Sequence, residues 1–89
     1  MASVAYNLMQ EYNFYAGLAL EEKNYETKFV FDNAESVVNS LHHGRSATEW
    51  IPALITALRG NASLDGVTDI QRETYIMCAE IAEGILSSL

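Results

Sequence analysis

Glu21-Glu22-Lys23-Asn24-Tyr25-Glu26 is the stretch that decides how this chain folds. Before it, Ala5, Leu8, Met9, Tyr12, Tyr15, Ala16 and Ala19 recur at three- and four-residue steps and share one helical face. After it, Val30, Ala34, Val37, Val38 and Leu41 resume the same period. A single continuous rod would place Lys23 and Glu26 on the buried seam, where unpaired charge is costly. The stretch therefore reads as a tight turn, and the two periodic runs as an antiparallel helical hairpin.

Working outward, the first helix is expected from about Ala2 to Lys23. Asn13 and Gly17 are its weak points, each less favourable than Ala by up to ~1 kcal/mol. The second helix has a clear stop, with His42 and His43 in its last turn and Gly44 just beyond. Its start is open to two readings: near Glu26, or after Lys28-Phe29-Val30-Phe31 taken as a strand, where Asp32 and Glu35 have the spacing of a capping box. Ser46-Ala47-Thr48-Glu49 is a further capping box. It opens a third helix with Trp50, Ile51, Leu54, Ile55 and Leu58 on one face, ending at Gly60. Pro52 is tolerable there only near the helix start. Asn61 to Gly66 reads as a loop. Thr68-Asp69-Ile70-Gln71 caps a fourth helix, with Ile70, Thr74, Met77, Cys78, Ile81 and Ile85 expected on its buried face. The reading is all-α: one domain over residues 1–89, a small bundle of about four helices whose first two form an antiparallel hairpin.

Composition narrows the function classes. Hydrophobic residues make up 49% of the 89 and charged residues 19%, which sets disorder aside. Twelve acids against five bases leave a net charge of −7. That balance speaks against nucleic acid and against anionic lipid as partners, since both are drawn by clustered Lys and Arg. No run approaches the ~18 apolar residues of a membrane span. Cys78 is the lone cysteine, and no basic segment leads into an apolar run at the N-terminus, so a reducing cytoplasm is the expected setting.

Little in the chain suggests chemistry. His42 and His43 are adjacent, so on a helix they point about 100° apart and do not easily grip one metal ion. Cys78 falls within an apolar face, where a thiol behaves as a small hydrophobe. No phosphate-binding glycine loop or zinc-protease motif is present. No catalytic residue, metal or cofactor is expected.

Surplus apolar surface is more informative. Phe14 and Leu18, one turn apart, point away from the first helix's buried face, and Tyr25 and Phe29 do the same on the second. In a hairpin both pairs lie near the turn, which predicts one exposed aromatic patch with Glu21, Glu22 and Glu26 at its rim. Such patches mark docking surfaces. The expectation is a non-catalytic interaction protein that self-associates and binds and blocks, or chaperones, a partner protein with a basic surface. In length, acidity and lack of catalytic residues the chain resembles phage and plasmid accessory inhibitors, a likeness of composition that implies action by occlusion. The alternative is an oligomer that holds a nucleotide-like anion between helices, through Tyr12 or Tyr25 stacking, Lys23 or Lys28 charge, and Arg45.

Overall fold

The computed structural model describes residues 3–89, so the expected helix start at Ala2 lies outside the described residues. Four helices follow in order: α1 (Val4–Glu21), α2 (Tyr25–Leu41), α3 (Ala47–Ala62) and α4 (Asp69–Ser87). Three of them begin at a side chain that accepts an otherwise orphaned backbone N–H. Ser3 takes the amide of Tyr6, Asn24 that of Thr27, and Thr68 that of Gln71. The Thr68 box is reciprocal, with the Gln71 side chain accepting from the Thr68 amide at 3.2 Å. Ser46 departs from expectation. Its hydroxyl lies 3.2 Å from that of Thr48 and makes no cap to the backbone, so the second box is not formed.

The turn that decides the fold is closed by a paired-carbonyl motif. The Asn24 amide donates to Ala19 at 2.8 Å and the Lys23 amide to Leu20 at 3.0 Å, with Lys23 at φ 58°. A side chain in that left-handed well costs about 1–2 kcal/mol, which marks Lys23 as a strained position. Asn24 caps α2 immediately, so α2 begins at Tyr25 and runs through Asp32 without a break. The later start, with Lys28–Phe31 as a strand, is thereby excluded.

α1 lies along α2 and α3 along α4, and the two hairpins meet chiefly where α2 crosses α4. Leu8, Tyr12, Val30, Val38, Trp50, Ile51, Leu54, Leu58 and Cys78 form the centre of the core. Two sequence expectations need correction. α3 continues past Gly60 to Ala62, because Gly60 stays helical, Ala62 is buried, and the Arg72 guanidinium donates to the Ala62 carbonyl at 3.0 Å. α4 buries Thr74, Tyr75, Cys78, Ala79 and Ala82 and leaves Ile70 and Met77 about half exposed. Its inner face is thus turned by somewhat under one residue step, roughly 80°. The small Ala79 and Ala82 admit close approach of α4 to its neighbours, and the Tyr75 hydroxyl accepts from Asn33 Nδ2 at 2.8 Å.

Candidate partner-binding surface

The four apolar candidates near the hairpin turn are on the outside. Phe14 is 60% exposed, Leu18 42%, Tyr25 63% and Phe29 60%. Helix geometry explains this: α1 buries Ala5, Leu8, Tyr12, Ala16 and Ala19, and positions 14 and 18 fall on the far side of that stripe. Glu21, Glu22 and Glu26 are exposed beside them. The four do not share one hollow, however.

Leu18 belongs to a cleft of about 300 Å³ bounded by α1, α2 and α4, whose lining includes Tyr15, Glu22, Thr27, Phe31 and Met77. Phe29 belongs to a second groove of about 440 Å³, with Asn33, Asn61, Leu64, Asp65 and Tyr75. The reason is angular. Phe29 is two residues from both Thr27 and Phe31, hence some 200° around α2 from them. The expected single patch is therefore two apolar surfaces on opposite flanks of α2.

The cleft is continuous with the core through a series of rings. Phe14 sets its edge against Tyr15 at 5.5 Å, Tyr15 stacks on Phe31 at 5.3 Å, and Phe31 leans on Tyr12 at 6.4 Å. At the bottom Tyr12 is fully buried, and its hydroxyl donates to the Cys78 carbonyl of α4 at 2.6 Å. Burial, with the nearby Cys78 thiol and Glu11 carboxylate adding to it, pushes the Tyr12 hydroxyl far above its ordinary range. Burial likewise pushes the Cys78 thiol up to about 12. Both groups are therefore neutral at physiological pH, and Cys78 is a poor nucleophile.

The residues of the anion-binding alternative are not brought together. Tyr12 is sealed in the core and offers no ring face to a ligand. Lys28 is paired with Asp32 one turn on. Lys23 sits in the tight turn and Arg45 in the loop between α2 and α3. Neither groove is lined by any of the three cations. Two other arginines do converge, Arg59 and Arg72 beside Ser63 and Ile76, but each already holds a carboxylate, Glu83 and Asp69 respectively. His42 and His43 have ring centres 4.1 Å apart, with His42 edge-on to Trp50, and among the described residues no third ligating side chain joins them.

No family model, curated protein or solved structure matches this chain. Its function has to be read from its own surface.

Sequence reasoning missed Met77, which it assigned to the buried face and which instead lines the cleft, half exposed. Along α1, Glu11, Tyr15, Leu18 and Glu22 follow one another at four, three and four residues, a single helical line. The ion pairs among the described residues are Lys28–Asp32, Arg59–Glu83 and Arg72–Asp69, so Glu22 in the cleft lining is not paired. The signal for Met77 is the competing Ala79 and Ala82 stripe, which is apolar too.

Proposed function

We propose that this chain is a non-catalytic interaction protein that docks on a partner protein through apolar side chains around its first hairpin, and blocks or chaperones that partner in the cytoplasm. The observation that carries the reading is the exposure of Phe14, Leu18, Tyr25 and Phe29 on a chain whose core is complete without them. Large apolar groups held in water are disfavoured by about 25 cal/mol per Å², so four exposed on one hairpin, on two flanks of α2, point to a use. The acids beside them favour a partner of opposite charge and speed its encounter. A neutral, buried Cys78 and scattered cations give little support to catalysis or to an anion pocket.

The test is capture of a partner by the full tagged chain from host lysate, with masses of what is retained and the native mass of the chain itself. Phe14→Glu combined with Phe29→Glu should abolish capture while far-UV circular dichroism stays unchanged. A folded double variant that retains the same partner would remove these side chains from the interface. The native mass tests self-association in the same preparation.

A further inference from the structure

Among the described residues, the outer face of α1 is the one helical surface without charge. From Tyr6 to Leu20 every exposed residue of the helix is neutral, and Glu11, the single charge in that span, is half-buried. The other helices all expose charge: Glu26 and Asp32 on α2, Glu49 and Arg59 on α3, Glu73 and Glu80 on α4. At about 100° per residue Tyr6, Gln10, Asn13 and Gly17 fall within about 60° of one another, with Phe14 and Leu18 along one side. Tyr6 is 52% exposed and Phe14 60%. Open space surrounds Gly17, where an added Cβ would meet nothing within 4 Å. The strip runs about 21 Å, four helical turns.

Extending the interaction-protein reading, we propose that this strip is where two copies of the chain meet, α1 against α1, antiparallel about a two-fold axis near Asn13. Charge selects the occupant. Two copies at −7 each repel at long range, and a two-fold contact presses one patch against an identical one, so acids in it would meet acids. The α1 strip is the face on which the chain can touch itself without burying like charges. Interface cores are poor in charge and rich in aromatic rings, which Tyr6 and Phe14 provide here. The antiparallel sense follows from the helix ends. A parallel pair would bring Glu21 and Glu22 of both copies together. The antiparallel pair sets them beside the N-terminus of the other α1, where the helix dipole favours acids. In that register Tyr6 faces the Leu20–Glu21 end of the other copy, Gly17 faces Gln10, and the glycine lets the two backbones approach. Phe29 lies in the groove on the far flank of α2 and stays free for a partner protein.

Sedimentation velocity of the full chain from about 5 to about 500 µM, in about 150 mM salt, reads the native mass. A dimer that dissociates toward the low end is expected, because the strip is smaller than the ~20–30 residues a side of a standard interface. Phe14→Glu is expected to weaken it by about tenfold or more. Gln10→Glu with Asn13→Glu, two exposed polar changes that only add charge, is expected to do the same. Phe29→Glu is expected to leave the dimer intact. Asn13→Cys, beside the axis, is expected to cross-link the copies on mild oxidation, and the exposed Asn39→Cys on α2 is not. A chain that is monomeric throughout overturns the proposal. So does a dimer that survives both charge-adding variants, or one that is lost in Phe29→Glu and kept in Phe14→Glu. A monomer that still captures a partner would leave the interaction-protein reading standing. Capture that persists in the folded Phe14→Glu/Phe29→Glu variant would instead count against that reading itself.

Discussion

Replacing Tyr12 by Phe tests the joint on which the cleft is built. The Tyr12 hydroxyl is the donor of a 2.6 Å bond to the Cys78 carbonyl, a contact between residues 66 apart in sequence that ties α1 to α4. Tyr12→Phe keeps the ring and its packing against Phe31, so no sizeable cavity opens. The Cys78 carbonyl keeps its ordinary helical partner within α4, so it is not orphaned. What is lost is one buried neutral hydrogen bond, about 1 kcal/mol net. For a domain of this size that lowers the melting temperature by about 4–8 °C.

The assay is urea denaturation followed by circular dichroism, with the slope expected to match that of the parent chain, since the surface exposed on unfolding is unchanged. A Tyr12→Phe chain as stable as the parent would refute the reasoning, because the hydroxyl would then contribute nothing to holding the two helices together.

Two further outcomes follow from the backbone and the buried core. Lys23→Gly relieves the left-handed residue at φ 58° and should stabilise the fold by up to about 1 kcal/mol, read as a rise in urea midpoint; a loss would show that the Lys23 side chain has a structural contact that outweighs the strain. Stability should also fall under alkaline conditions. The folded Cys78 thiol titrates at about 12 against an ordinary value near 9.0, and Tyr12 is raised as well. The unfolded chain therefore loses these protons first, so the contribution is intact below the ordinary thiol value and is lost as pH rises from there toward the folded one. The loss approaches about 1.4 kcal/mol per pH unit for each fully ionising group. Urea midpoints between about pH 8 and about pH 10.5 read it, and Cys78→Ala should flatten the slope.

The hairpin and the outward side chains were legible because they depend on local facts. Helical period places Phe14, Leu18, Tyr25 and Phe29 away from the buried stripes, and Lys23-Asn24 has the chemistry to end one helix and cap the next. Features set by tertiary packing were not legible. α4 has two apolar stripes, one through Ile70 and Met77 and one through Tyr75, Ala79 and Ala82, and periodicity ranks the larger side chains higher. The fold buries the smaller ones, because alanines let the helix approach closely and Tyr75 finds Asn33. The end of α3 was misjudged for a similar reason. Gly60 is a stop only in the left-handed conformation, and it is Arg72, ten residues beyond Ala62, that satisfies the terminal carbonyl. The Ser46 box failed because Thr48 stands close enough to engage the same hydroxyl.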